Sequence, residues 1–463
     1  MILRNLMGLV VVLGALSAGG FSVYAWRSEI PEVAPAQPSR FDPELVRRGA
    51  GLAAVGNCNS CHTRTGGPSF AGGLRIPTQF GSIYTTNITP DPETGIGLWS
   101  EAAFERAMRD GVDRLGRHLY PAFPYDHFTH VTDEDIRALY AYFMTRQPAH
   151  ATPRANELRF PFDQRILLAG WKLLFFRKGV FQPDERHDRR WNRGAYLVEG
   201  LAHCGGCHTP RNTLGAERGN DAYDGGEAEG WTAYALNVDS PSPVPWDKDA
   251  LFQYLRHGWH EAHGMARGPM APVVDNLNAL EDDDLLAVVT YIAAVVGTPS
   301  PERARRGRSV LEQTSGNGAT LTSDSAAPSG ATNERSEGAA IYVTTCAPCH
   351  ESSRPLPYGG INLARSTGPN GPTARNLVNV ILWGLPPSDG QRSPIMPGFN
   401  NAMTDDQVRA LVTYVRQRFG HGPTWTNVDQ DIRDARAGNF KVGIYPAPGT
   451  DPASGVISQR EVR

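Results

Sequence analysis

Three stretches of this chain, residues 132–143, 281–295 and 404–419, carry apolar side chains at helical spacing and open on acidic residues, which favour a helix N-terminus. Upstream of each lies a second helical stretch, residues 104–111, 251–258 and 380–384, closing on Gly111, Gly258 and Gly384. Further upstream a helix start recurs, as Arg48-Gly49-Ala50, Arg193-Gly194-Ala195-Tyr196 and Gly338-Ala339-Ala340-Ile341-Tyr342. Self-similarity of this kind marks a repeated structural unit. The pattern predicts three mainly helical units, 41–150, 189–300 and 336–420. Tyr142, Tyr291 and Tyr414 fall on the last helices, placed either to pack on the opening helix or to touch a cofactor edge.

The segments between the units read differently. Residues 5–26 are uncharged and largely apolar, between Arg4 and Arg27. At 22 residues the run is long enough to cross a bilayer, and Val23-Tyr24-Ala25 also offers a small-residue cleavage site. Residues 1–26 are therefore read as a signal peptide or N-terminal membrane anchor, and 27–40, with Pro31, Pro35 and Pro38, as a tether. The connection 151–188 holds an apolar run, 166–176, too short and too flanked by arginine to span a membrane. Packing between domains is its simpler role; docking on a partner or membrane surface is the other. Residues 301–335, rich in Ser, Gly, Ala, Thr and Arg, read as a flexible linker, and 421–463 as a tail without clear periodicity.

Composition changes the picture little. The chain is 463 residues long, 40% hydrophobic, with a formal charge of −3, and lacks the basic excess that nucleic-acid binding needs. The cysteines change it decisively. All six fall in Cys-x-x-Cys-His clusters: Cys58-Asn59-Ser60-Cys61-His62, Cys204-Gly205-Gly206-Cys207-His208 and Cys346-Ala347-Pro348-Cys349-His350. This is the attachment signature of haem c: two thiols bond the haem vinyl groups and the adjacent histidine binds iron. A zinc site needs four ligands per cluster, and a redox dithiol has no use for the trailing histidine. Three covalent haems are expected. Such attachment takes place outside the bacterial cytoplasm, in keeping with an exported chain.

A sixth ligand emerges from the repeat. Twelve residues beyond Gly111, Gly258 and Gly384 stand Phe123, Met270 and Met396, the two methionines beside prolines. A methionine is usually core filler, but shared register in a repeated unit makes Met270 and Met396 candidate iron ligands. Trp99 and Trp246 likewise lie twelve residues before Gly111 and Gly258. His257, His260 and His263 have a spacing that could hold a metal, and are read as surface or haem-edge residues.

With the clusters placed, the chain resembles the tri-haem cytochrome c subunit of bacterial periplasmic dehydrogenases acting on alcohols, gluconate, sorbitol and aldehydes. The likeness rests on Thr86-Asn87-Ile88-Thr89-Pro90-Asp91, Gly95-Ile96-Gly97, Trp99, His118-Leu119-Tyr120-Pro121-Ala122, Trp191-Asn192-Arg193-Gly194-Ala195-Tyr196-Leu197 and Cys207-His208-Thr209-Pro210-Arg211-Asn212. It is close over the first two units and thinner over the third. The resemblance implies an all-α fold of three tandem class I cytochrome c-like domains. It also implies a catalytic dehydrogenase subunit as electron donor, ubiquinone or another respiratory acceptor, and membrane association on the periplasmic side of the inner membrane.

The departure is Phe123, where many alcohol and gluconate dehydrogenase cytochromes carry methionine. The string Pro121-Ala122-Phe123-Pro124-Tyr125-Asp126-His127-Phe128 looks more like cytochromes that accompany molybdenum hydroxylases of aldehydes or N-heterocycles, the preferred partner; a quinoprotein or flavin dehydrogenase is the alternative. For the first haem three readings stay open: His127, preferred, or His118 binds the iron; Met108 or Met144 swings in, although Met108 aligns with Leu255 and Ile381; or the iron is five-coordinate. The last keeps alive a reading of another class, a peroxidase or reductase working at an open haem.

Overall fold

The computed structural model describes residues 2–314, 333–352, 354–386 and 393–438. The chain is mainly helical with a few short strands and gathers into two compact units, residues 1–183 with 199–203, and 184–198 with 204 onward.

In the first unit the helices are α1 (Ile2–Ala25), α2 (Pro43–Val55), α3 (Cys58–His62), α4 (Glu101–Asp110), α5 (Tyr125–Phe128), α6 (Asp133–Met144) and α7 (Leu167–Phe175). Strands β1 (Arg75–Thr78), β2 (Gly81–Tyr84) and β3 (Glu157–Leu158) form an antiparallel sheet in that order. Helix starts follow from their caps: Asp42 accepts from the Glu44 amide, Ser100 from Ala103 and Thr132 from Asp135. Helices α2 and α6 cross at Gly49, where a Cβ would lie 2.0 Å from the Ala138 carbonyl oxygen and 2.7 Å from the Tyr142 Cβ. Only glycine allows this approach. Beside it Arg48 pairs with Asp135 at 2.6 Å.

The segment after α1 is stitched to this unit. The Ile30 amide donates to the Arg114 carbonyl, Val33 to Leu98, and Arg114 pairs with Glu29 and Glu32. His118 donates from Nε2 to the Ala25 carbonyl at 2.8 Å and accepts at Nδ1 from Lys172 at 3.1 Å. Lys172, buried on α7, also donates to the carbonyls of Asp110 and Gly111 at the end of α4. Burial pushes its ammonium down to about 7, with Asp110 opposing and Arg27 assisting. Between about pH 7 and 10 the unfolded chain thus holds a proton the folded chain has released, so stability rises with pH. Thermal unfolding of the full chain will show this rise, at up to about 1.4 kcal/mol per pH unit, and Lys172→Met will flatten it.

The second unit contains α8 (Arg189–Tyr196), α9 (Gly205–His208), α10 (Lys248–His257), α11 (Met270–Leu277), α12 (Asp282–Val296), α13 (Pro301–Thr314), α14 (Asn333–Ile341), α15 (Ala347–His350), α16 (Arg375–Trp383), α17 (Asp405–Phe419) and α18 (Val428–Ala437). Hairpins pair β4 (Gly226–Ala228) with β5 (Trp231–Ala233), and β6 (Trp259–His260) with β7 (Gly264–Met265). The crossing of α2 on α6 recurs twice. On α8 a Cβ at Gly194 would lie 2.0 Å from the Ala287 carbonyl oxygen and 2.8 Å from the Tyr291 Cβ. On α14 a Cβ at Gly338 would meet the Ala410 oxygen at 2.2 Å and the Tyr414 Cβ at 3.0 Å. The three tyrosines therefore pack on the opening helices, the first of the two roles open to them. Gly111, Gly258 and Gly384 close their helices at φ 59°, 78° and 69°, the left-handed region that favours glycine.

Two expectations are corrected. Residues 301–314, the start of the predicted linker 301–335, form α13: Pro301 opens it, Ser300 Oγ accepts from the Arg303 amide, and the Arg303 guanidinium donates to the carbonyls of Val238 and Ser240. The rest of that linker up to 332 lies outside the described residues. The tail from 421 holds α18, whose Val428, Ile432 and Ala435 are buried at helical spacing in a core with Val378, Leu382, Val408 and Leu411. Residues 439–463 lie outside the described residues.

Within this unit α16 meets the β4–β5 hairpin. The Asn376 carboxamide accepts from the Thr232 amide at 2.9 Å and donates to the Thr232 carbonyl at 2.8 Å. The Thr232 and Thr373 hydroxyls bond at 2.9 Å, and Arg375 pairs with Glu227 at 2.8 Å.

Candidate haem centres

Each Cys-x-x-Cys-His cluster ends in a short helix: α3, α9 and α15. Two cysteines three apart, followed at once by histidine, fall on one helix face. The residue before the first cysteine is left-handed at Asn57 (φ 50°) and His203 (φ 40°), which turns the chain sharply into the cluster. No two of the six cysteines are joined in a disulfide. Partial burial pushes the thiols up, Cys58 to about 12 and Cys207 and Cys346 to about 11, and a thiol held neutral is a poor zinc or redox group.

The histidines repeat one arrangement. His62 Nδ1 lies 2.7 Å from the Thr86 carbonyl, His208 Nδ1 2.7 Å from Tyr234, and His350 Nδ1 2.7 Å from Ile361. A carbonyl only accepts, so Nδ1 carries the proton and Nε2 carries the lone pair that binds a metal. Burial lowers the pKa of all three rings, opposed by those same bonds, and keeps them neutral. This donor set, two thiols and one tautomer-fixed imidazole per site, fits haem c.

The loops that supply the carbonyls share a device invisible in the motif itself. Asn87, Asn237 and Asn362 each accept at Oδ1 from the amide two residues on. This turn holds the loop facing its histidine, and in the first site it explains the Thr86-Asn87-Ile88-Thr89 string. The asparagines stand 25, 29 and 12 residues beyond His62, His208 and His350, so no fixed spacing betrays them.

The candidate sixth ligands are placed as follows. Met270 is partly buried at the first turn of α11, after Gly268, whose φ of 62° brings it against the Trp231 ring. Met396 is partly buried against the third helical core, its backbone held by paired bonds with Leu385 at 2.8 and 3.0 Å. His127 is buried in α5 with Nδ1 2.8 Å from the Glu199 carbonyl. His118 has both nitrogens committed, to Ala25 and Lys172, which removes it as a ligand. Met108 and Met144 are core residues, 6% and 1% exposed. Phe123 packs edge-on against Phe128. Of the His257, His260 and His263 trio, His263 stacks on Trp246 at 3.5 Å and bonds Ser242, and His260 accepts from the Ala262 amide.

Comparison with known proteins agrees with this chemistry. Residues 333–415 match the family described as cytochrome C oxidase, cbb3-type, subunit III. The fructose dehydrogenase cytochrome subunit of Gluconobacter japonicus is 35% identical over 90% of this chain and 87% of its own length. The gluconate 2-dehydrogenase cytochrome c subunit of Pantoea cypripedii is 37% identical over 85% of this chain and 89% of its own length. A nicotinate dehydrogenase subunit of Pseudomonas putida is 42% identical over 92% of this chain, which spans only 35% of that protein. The chain belongs to the cytochrome c subunits of dehydrogenases, haem c proteins that transfer electrons and leave catalysis to another subunit.

Proposed function

We propose that the chain holds three haem c groups in tandem cytochrome c domains, 41–150, 189–300 and 336–420, and relays electrons from a catalytic dehydrogenase subunit to ubiquinone or another respiratory acceptor. The carrying observation is the threefold bond from a cluster histidine Nδ1 to a loop carbonyl. Bound haem c supplies one-electron iron chemistry. The chain's own residues do the rest. Cys58 and Cys61, Cys204 and Cys207, and Cys346 and Cys349 fix each group covalently; His62, His208 and His350 present Nε2 to the iron. Met270 and Met396 would supply a further iron ligand at the second and third sites, and His127 at the first. Intact mass and pyridine haemochrome analysis of the mature chain will give three haems per polypeptide; a lower count overturns the reading.

His127→Ala will add a high-spin ferric signal to the electron paramagnetic resonance spectrum and open one site to carbon monoxide. An unchanged spectrum removes His127 as a ligand and returns Phe123 to the question.

For the partner we favour a molybdenum-dependent oxidoreductase of N-heterocycles or aldehydes. The Phe123-Pro124-Tyr125-Asp126-His127-Phe128 string supports it, as does the higher identity to the nicotinate dehydrogenase subunit than to the fructose and gluconate subunits. Co-purification followed by metal and cofactor analysis tests it: molybdenum supports it, while a quinone or flavin cofactor supports the alternative. The 21-residue apolar stretch Asn5–Ala25 within α1 is long enough to cross a membrane and supports anchoring at the periplasmic face of the inner membrane.

A further inference from the structure

Helix α7 is built inside out. Its one cation, Lys172, is 7% exposed and faces the body of the first unit, where it bonds the end of α4 and His118. Ala169, three residues earlier on the same face, is 1% exposed. Three of its four leucines point the other way: Leu167, Leu173 and Leu174 are 45%, 59% and 61% exposed, while Leu168 is half-buried. The approach to the helix continues the apolar surface, with Ile166 and Phe162 exposed and Phe160 at 82%. A helix in water turns its charged face out and its leucines in. The ammonium bonds at 2.6 and 2.7 Å fix the opposite orientation, so α7 cannot roll to hide them. A contiguous apolar patch of this kind marks a surface that something covers.

What covers it follows from α1. Phe21, near the end of α1, lies 3.7 Å from the position a Cβ would take on Gly170 of α7. One turn further on come Tyr24, Trp26 and Arg27, all exposed. Aromatic residues followed by a cation are the residues that mark where a spanning helix leaves the hydrocarbon. The contact at Phe21 therefore sits at or just inside the level of that belt. Arg159 and Arg177, exposed at either end of the patch, offer cations to phosphate headgroups. We propose that α7 is an interfacial membrane contact, its Leu167, Leu173 and Leu174 face entering the lipid boundary beside α1. This rests on the reading of α1 as a retained anchor.

Lipid photo-labelling separates the two. Full-chain protein is reconstituted in phosphatidylcholine–phosphatidylglycerol vesicles carrying a diazirine-tagged phosphatidylcholine, irradiated, and mapped by peptide mass spectrometry. The proposal expects adducts on peptides from both α1 and residues 160–176. In the Leu173→Glu/Leu174→Glu variant, adducts on the second peptide fall about tenfold while those on α1 hold. Both leucines are exposed, so the variant keeps the fold, checked by an unchanged melting temperature. Adducts on α1 alone overturn the interfacial contact and leave the anchor standing. Adducts on neither overturn both. Cross-links joining 160–176 of two chains in the same vesicles, without lipid adducts there, assign the face to a second copy and overturn the proposal as well.

Discussion

In Met270→Leu or Met396→Leu, one ferric centre will become high-spin and bind carbon monoxide, and one midpoint potential will fall by on the order of 100 mV, within the span of about 0.8 V that axial ligands control. Leucine preserves the volume of methionine but has no lone pair, so packing survives where ligation does not. The mass of the mature chain will keep all its haem, because Cys204 and Cys207 or Cys346 and Cys349 still hold the group. Met403→Leu, in the same third core as Met396 but off the repeat register, is the control and will change neither spectrum nor potential. If Met270→Leu or Met396→Leu leaves both readouts in place, that methionine is core filler.

The second large effect is on folding. Gly49→Ala, Gly194→Ala and Gly338→Ala each place a Cβ 2.0 to 2.2 Å from a backbone carbonyl oxygen. Carbonyls belong to the facing helix and cannot swing aside as a side chain would, so the two helices must separate. Overpacking of a core costs about 1–3 kcal/mol and more where backbone must move, and a loss of about 3 kcal/mol or greater is expected at each site. Thermal unfolding followed at 222 nm measures it. Gly51→Ala, on α2 with open space at its Cβ, will be neutral or slightly stabilising.

Much of this is legible in the sequence, and for a physical reason. The helices 132–143, 281–295 and 404–419 appear as α6, α12 and α17 within a residue or so of their predicted ends, because acidic first turns and Thr132 and Thr404 caps are local signals. The haem clusters are legible because covalent chemistry demands strict spacing. What escapes depends on distant partners. The carbonyls of Thr86, Tyr234 and Ile361 reach their histidines through loops of unequal length. Helix α13 has linker-like composition and is held by Arg303 reaching back to Val238 and Ser240, some sixty residues away. Helix α18 buries three apolar residues set among charges, a stripe too narrow to stand out until the core of the third segment closes over it. The leucines of α7 suggest domain packing in the sequence because a hydrophobic run alone does not say which way it faces; the bonds of Lys172 do.

The carboxamide of Asn376 touches both the amide and the carbonyl of Thr232, and so completes the open edge of β5 as a neighbouring strand would. An unprotected edge is a template on which a second polypeptide can add itself. A fragment ending near residue 314 would therefore expose a ready seam for strand addition and be prone to self-association, which makes the third segment a guard against aggregation.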